Sequence, residues 1–375
     1  MPVTSSPWRA ACDARLLAAL RSTLQAWPVD MAVGVALSAG ADSAMLALHT
    51  AVAAADAGRP VHCFHIHHGL QTAADDWLDH AQRLADLLGL PCHTRRVQLT
   101  LQGHGMEAAA RAARYQALSE MARAVAIQHM LLAHHQDDQA ETVLLRLLRG
   151  AGPTGLAAMA PSMQRDQAEI IQYGADGLSP MAGAADLAAS ITYHRPWLNH
   201  ARARILQAAD RFADLSAWQP VQDPSNRDCR YARGALRAEL APVLDAHWPA
   251  WRQTLARHAR QAQDLVCWTQ ASALDDWLQL DPQDEDRNFS LVAWRRLPAV
   301  RQAPVLRFWL QGRGLRMPTE ARLNAWLLQL RGVHALGHDR QVQLRHDHHW
   351  IVVQKGRVCL LSAVSDANTL SSPGE

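Results

Sequence analysis

VGVALSAGADSAMLALHT, residues 33–50, passes from a short apolar β-forming run through Ser38-Ala39-Gly40-Ala41-Asp42-Ser43 into an apolar helical pattern. Small residues at a strand-to-helix turn let backbone N–H groups approach a phosphate, and the helix N-terminus adds partial positive charge. The stretch suits a pyrophosphate, although an ordinary βα turn with Asp42 or Ser43 as a helix cap has the same local composition. Working outward, apolar runs at Val33–Leu37, Val61–Ile66, Cys92–Val97, Met130–Ala133 and Ile191–Tyr193 alternate with amphipathic stretches. Those stretches, Ser43–Ala57, Ala73–Leu88, Glu107–Ile127 and Asp138–Arg149, predict helices. The alternation predicts an α/β fold with a doubly wound parallel sheet in the first half.

The chain has 375 residues, 49% hydrophobic and 19% charged, which predicts more than one domain with substantial cores. Trp8, Asp13 and Arg15 interrupt the start of the chain where a secretory leader needs an apolar run. No later run reaches the roughly 18 apolar residues of a membrane span, so a cytoplasmic location with no membrane partner is expected. Six cysteines lie far apart without a C-x-x-C pair, which disfavours a structural zinc, an iron–sulfur cluster and a disulfide framework. Lys355 is the only lysine. A Walker A loop, or a ligase that carries AMP on lysine, needs one in the nucleotide domain, so both are disfavoured.

Net charge is +2, but eleven arginines stand against six acidic residues between Arg195 and Arg260. That excess reads either as a polyanion-binding surface or as solvated helix faces. Residues 150–190 are irregular and rich in Gly, Ala, Met and Pro, as in an insertion or mobile loop near a ligand. Ten of the thirteen tryptophans follow residue 196, where they are expected to anchor a helical core. From Val342 the alternation predicts a closing β-hairpin around Lys355-Gly356, and the Ser-rich end is expected to be disordered. The expected division is a catalytic domain over 1–217, a mainly helical domain over 218–365 and a tail over 366–375.

The Ser38–Ser43 loop resembles the S-G-G-x-D-S loop of the PP-loop ATP pyrophosphatase superfamily, with Ala39 where that superfamily usually has Gly. If positive φ is needed there, alanine is strained by about 1 kcal/mol or more. Further motifs lie at strand ends or helix starts: His65-Ile66-His67-His68-Gly69-Leu70, Glu107–Tyr115, Ala133–Thr142 and Arg149-Gly150-Ala151-Gly152. With Trp218 and Asp223–Asp228, they resemble the tRNA(Ile)-lysidine synthetase family from about Val33 to Leu361. Gly234 departs from that pattern, standing where the family usually has Asn.

The resemblance implies a PP-loop, adenine-nucleotide-alpha-hydrolase-like N-terminal domain followed by a mostly helical C-terminal domain. It implies ATP bound by Ser38, Ala39, Gly40, Ala41, Asp42, Ser43 and His67, with Mg²⁺ at Asp42 and Asp137. The implied reaction adenylates the wobble cytidine of a CAU-anticodon tRNA(Ile) and then joins free L-lysine to it. Arg111 and Arg114 are expected on phosphate oxygens, against the alternative of a helix-face pair between Glu107 and Arg111. Asp138 and Glu141, three apart at a helix start, share a face and form an acidic lysine pocket; Asp137 alternatively caps that helix. The expected catalytic set is Asp42, Arg111, Arg114, Asp138 and Glu141. The pairs His67-His68 and His134-His135 fit loop orientation or adenine stacking better than zinc. Alternatives are a 2-thiolating PP-loop enzyme, which usually carries paired cysteines, and a non-catalytic ATP-responsive RNA-binding module. A homodimer is left open.

Overall fold

The computed structural model describes residues 7–67, 69, 74–97, 106–165, 190–221, 228–333 and 342–362. The chain divides into two compact units, one of Met1–Ser179 with Asp186–Gln263 and one of Pro180–Ala185 with Asp264–Glu375.

The first unit opens with α1 (Ala14–Gln25), capped by Asp13, whose carboxylate accepts from the N–H groups of Arg15 and Leu16. Then follow β1 (Val33–Ala36), α2 (Ala41–Asp56), β2 (Val61–His67), α3 (Ala74–Leu88) and β3 (Cys92–Arg96). The alternation continues through α4 (Met106–Ala124), β4 (His129–Leu131), α5 (Gln136–Leu148), α6 (Pro153–Leu156), β5 (Ser162–Arg165) and β6 (Ile191–His194). The sheet order is β3-β2-β1-β4-β6-β5, with β5 antiparallel and the other neighbours parallel. This is the doubly wound arrangement, whose ligand crevice lies at the strand C-termini where the order reverses.

The core explains why the central elements form where they do. Val33 and Val35 are fully buried, and α2 is buried on nearly every side from Ser43 to Ala54, as its almost unbroken apolar sequence requires. The expected strands and helices are found with ends shifted by one to three residues; α1 adds an element the alternation had not supplied.

The unit continues through α7 (Arg202–Ser216), α8 (Ala232–Ala235), a π-helical turn at Leu236–Leu240 and α9 (Ala241–His247). A long α10 (Trp251–Leu278) contains the boundary between units. The first unit thus reaches Gln263, rather than ending near residue 217 as composition suggested. The cause is packing: Leu236, Ala241 and Trp251 form a buried cluster with Ala140 of α5, and Ala259 forms another with Val143 and Ala158.

In the second unit, β7 (Asn288–Ser290), α11 (Leu291–Arg296), α12 (Ala299–Gly312) and α13 (Glu320–Gly332) precede β8 (Gln343–His346), β9 (His349–Gln354) and β10 (Arg357–Ser362). The core is built on Trp277, Phe289, Trp294, Trp309 and Trp326. Lys355 and Gly356 have φ of 49° and 76°, the signature of a tight hairpin turn of the right twist. The expected hairpin is there, and β7 and β8 widen it into a four-stranded antiparallel sheet ordered β7-β10-β9-β8. Among the described residues no helix is long and apolar enough to cross a membrane. Most of the irregular 150–190 segment, residues 223–227 and the Ser-rich tail lie outside the described residues.

Candidate active site

β1 delivers the Ser38–Ser43 loop to the crevice, and internal bonds set its shape. The Ser38 N–H donates to Ser43 Oγ at 3.0 Å, and the Ser43 hydroxyl donates to the Gly40 carbonyl at 3.1 Å. Ala39 has φ of 63°, so the position where the superfamily has Gly does require the left-handed region. Its methyl is fully buried in the main core, and its carbonyl accepts from the Val221 N–H at 3.0 Å. Gly40 precedes α2 without a side-chain cap, so no side chain of its own covers the first N–H groups of that helix.

Three helix N-termini meet beside this loop. Asp42 lies in the first turn of α2, Asp137 and Asp138 in the first turn of α5, and Arg202 is the first residue of α7. The Arg202 guanidinium donates to both Asp42 oxygens at 3.1–3.3 Å, while its backbone N–H donates to Asp137 Oδ1 at 3.0 Å. His135 caps α5 in a reciprocal box: the Asp138 N–H donates to its Nδ1 at 3.3 Å and its own N–H donates to Asp138 Oδ2 at 3.2 Å. The same imidazole reaches Asp42 Oδ1 at 3.7 Å and Asp137 Oδ1 at 3.9 Å. Carboxylates at helix N-termini are favoured by the helix dipole, which gives this acidic group a structural footing.

Arginines from the basic segment neutralise those acids. Arg237 binds Glu141 bidentately, Nε to Oε1 at 2.7 Å and Nη2 to Oε2 at 2.9 Å, and reaches Asp138 Oδ1 at 3.4 Å. Burial works against the charged form of Arg237, and Glu141 and Asp138 outweigh it, leaving the pKa above its usual value. Arg252 lies 3.0 Å from Asp137 Oδ2, and Arg233 donates to Thr142 Oγ1 at 2.9 Å. Arg204 pairs with Asp13 and Arg211 donates to the Ala11 carbonyl. Much of the charge excess at Arg195–Arg260 is therefore spent within the fold.

A second group faces His134. Burial, followed by the charges of Arg195, Arg111 and Arg233, drives its pKa well below the usual histidine value, and its buried Nδ1 has no hydrogen-bond partner among the described residues. Arg111 also stands over the Tyr115 ring at 5.8 Å. Arg114 reaches the surface, yet the surrounding protein holds its pKa below the usual arginine value, with Tyr115 opposing that shift and Arg111 adding to it. Arg111 thus gathers near the His134-His135 pair. His67 belongs to a separate group, with its Nε2 3.2 Å from Asp75 Oδ1, and Arg96 also pairs with Asp75.

Gly234 owes its identity to a close approach. A Cβ there would lie 2.0 Å from the Asp228 carbonyl oxygen, so the turn before α8 leaves no room for the asparagine usual in the resembling family. Two residues on, the π-helical turn begins that carries Arg237 to Glu141.

The comparisons with known proteins bear on this geometry. A family profile described as "PP-loop domain" matches residues 14–244, and one described as "TilS substrate binding domain" matches residues 289–359. The tRNA(Ile)-lysidine synthase of Bordetella bronchiseptica is 47% identical over 349 residues, covering 92% of this chain and 94% of that protein. The chain belongs to the tRNA(Ile)-lysidine synthase family. It is accordingly a ligase that forms a carbon–nitrogen bond and carries an ATP-binding PP-loop domain. The enzyme of that name from Bordetella pertussis is 48% identical over 88% of this chain and 96% of its own. That of Burkholderia mallei is 39% identical over 85% of this chain, which spans 60% of that protein. A solved U34-tRNA thiolase, NcsA from Methanococcus maripaludis, aligns at 14% identity over 66% of this chain and 79% of its own, with a TM-score of 0.49.

Sequence reasoning named Asp42, Asp137, Asp138 and Glu141, which the fold gathers. It read His135 only as a loop-orienting or adenine-stacking ring, and it did not pair Arg202, Arg237 and Arg252 with the acids they hold. The signal for the arginines was the basic segment itself, read there as a surface for a polyanion. Nothing in a one-dimensional charge count says which guanidinium meets which carboxylate.

Proposed function

We propose that this ligase joins the side-chain amine of free lysine to C2 of the wobble cytidine in a CAU-anticodon tRNA(Ile), in two steps at the crevice beside Ser38–Ser43. In the first, the cytidine C2 oxygen attacks the α-phosphorus of ATP, and pyrophosphate leaves. In the second, the lysine amine attacks C2, AMP departs with the oxygen, and the nitrogen gives up its proton. The observation that carries this reading is the acidic pair Asp138 and Glu141 held at the start of α5, beside Asp42 and the phosphate-shaped loop.

The residues divide the work by charge. Backbone N–H groups of the loop and the α2 N-terminus receive the pyrophosphate, and Arg111 and Arg114 of α4 are assigned to phosphate oxygens by their charge. Free lysine arrives with an amine pKa near 10.4. Carboxylates at Asp138 and Glu141 first attract its ammonium form and then accept a proton as the nitrogen becomes nucleophilic. Arg237 balances the charge of these acids until the substrate arrives.

The donor set suits a magnesium ion that ATP brings with it. Asp42 and Asp137 are two carboxylates at separate helix starts, the number this ion takes when phosphates and water complete its shell. When bound, it would neutralise charge on the departing pyrophosphate. The setting for this chemistry is the bacterial cytoplasm, where lysine, ATP and tRNA occur together.

The 2-thiolation alternative fares worse. Cys63 and Cys92 are register partners on β2 and β3, but burial raises their pKa values to about 12 and about 11. They are inert thiols near the strand starts, away from the crevice. The decisive assay is transfer of labelled lysine to CAU-anticodon tRNA(Ile), with ATP and Mg²⁺ and with tRNA(Met) as control. Label on tRNA(Ile) alone is expected. Pyrophosphate release without label would require another nucleophile, and neither product would leave the non-catalytic module.

A further inference from the structure

Arg202 stands in a position that local stability does not explain. It is the first residue of α7, a helix that has no side-chain N-cap and no acidic residue in its first turn. A cation at a helix N-terminus opposes the helix dipole, so the position is electrostatically unfavourable unless an anion compensates. In the structure that anion is Asp42, bound at 3.1–3.3 Å. The compensation is only partly sequestered, with the Arg202 side chain 43% exposed and that of Asp42 26% exposed. Burial works against the charge of Arg202, and Asp42 more than offsets it, so its pKa lies above the usual arginine value.

The backbone of Arg202 is fixed independently of its side chain. Its N–H is held by Asp137 Oδ1 at 3.0 Å, which pins the start of α7 to the start of α5. The guanidinium is thus a movable cation on a fixed stem, beside the loop and the α2 N-terminus. An ATP triphosphate arriving there meets Asp42, whose negative charge repels it unless neutralised. Arg202 supplies that neutralisation beforehand, and its fork matches phosphate oxygens as well as it matches a carboxylate.

We propose that Arg202 is a catalytic residue of adenylation: its guanidinium exchanges Asp42 for the β,γ-phosphates of ATP as Asp42 turns to the magnesium ion that ATP carries. The assignment rests on the ATP-adenylation reading of this loop. Its consequence is that Arg202 is a direct ligand of the nucleotide and not only a holder of Asp42.

A double-mutant comparison separates these roles. Binding of a non-hydrolysable ATP analogue would be measured calorimetrically, with and without Mg²⁺, for the wild type, Arg202→Gln, Asp42→Asn and the double variant. Arg202→Gln is expected to weaken analogue binding about tenfold or more in the Asp42→Asn background, because a charge-assisted phosphate contact is lost. Arg202→Lys is expected to recover part of that loss, since it keeps the charge without the fork. If Arg202→Gln has no effect once Asp42 is Asn, Arg202 only holds that carboxylate and the proposal is overturned. A wild type that binds no analogue at all would overturn the ATP reading itself. Thermal melts check folding, and a melt depressed in Arg202→Gln but not in Arg202→Lys leaves the lysine variant to decide: affinity equal to wild type overturns the phosphate fork.

Discussion

Two histidine-bearing regions of the same parallel sheet behave in opposite ways. At the start of α5, His135 sits among Asp42, Asp137 and Asp138, and three arginines, Arg202, Arg237 and Arg252, balance the acids there. On the strands, by contrast, two pairs of histidines meet each other. His62 and His93 stand 2.9 Å apart between Nδ1 and Nε2, as do His129 and His194, with Trp27 stacked on His129 at 4.4 Å. Burial and the neighbouring imidazole hold His62 and His194 below the usual histidine pKa, His194 at about 4. A region of paired opposite charges can exchange partners with a charged substrate. A region of neutral rings stacked on one another can only be disturbed by a charge. The first has the make-up of a site and the second that of a core.

The largest effect is expected where the ion pairs are most buried. Asp138→Ala removes one of the two carboxylates facing Arg237 and is expected to raise the KM for lysine, or slow transfer, by about 100-fold or more, the scale of truncating a buried charge pair. Pyrophosphate release from ATP and tRNA should persist. Steady-state kinetics with lysine varied, run beside a pyrophosphate assay, distinguish the two steps. A variant that lost only tRNA affinity would show that the acidic pair is no lysine pocket, and would collapse the contrast between the two histidine regions.

The alternation of apolar runs was enough to read the parallel sheet, because buried strands and helices leave a strong periodic trace. The loop at Ser38–Ser43 has the composition of an ordinary capped βα turn as well, and it became readable through its resemblance to a phosphate loop and the company of the other motifs at strand ends. Helical spacing put Asp138 and Glu141 on one face, and the family resemblance supplied the amine for them to meet. Their counter-ions could not be read in this way, since Arg202 and Arg237 lie 160 and 96 residues along the chain from Asp42 and Glu141. The π-helical turn that aims Arg237 leaves no periodic mark, as it spans only Leu236–Leu240. β7, three residues leading straight into a helix, was not read from the sequence, and β8 lay within the alternating stretch from Val342 without being told apart from the hairpin. Gly234 looked like a lost contact in sequence, and becomes a packing requirement once the Asp228 carbonyl is seen against it.

The stacked region should respond to acid. With His194 depressed to about 4 in the folded chain and near 6.5 when unfolded, the unfolded state binds more protons between those values. Stability from the neutral ring is therefore complete above about pH 6.5 and is lost as pH falls towards 4, at up to about 1.4 kcal/mol per pH unit for one such group. Urea melts at pH 7, 6 and 5 should show a shallower loss for His194→Gln than for the wild type. Equal slopes would mean that the His129–His194 pair does not remain neutral in the fold.

The smallest expected change lies in the phosphate loop. Ala39 holds φ of 63°, a conformation that costs an alanine about 1–2 kcal/mol, so Ala39→Gly relieves strain. The same change removes a fully buried methyl, worth about 0.8 kcal/mol, and frees the unfolded chain by a further ~0.4–1 kcal/mol. The terms nearly cancel, so Ala39→Gly is expected to shift stability by less than about 1 kcal/mol. Because the Val221 N–H still meets the residue 39 carbonyl and Ser43 still braces the turn, ATP affinity should change less than about threefold. Thermal melts and analogue binding on the one variant test both halves. A large gain in stability without a change in affinity would show that the buried methyl contributes little. A large gain in affinity would show that alanine distorts the loop, and that the charged end of the sheet is tuned by its backbone as well as by its arginines.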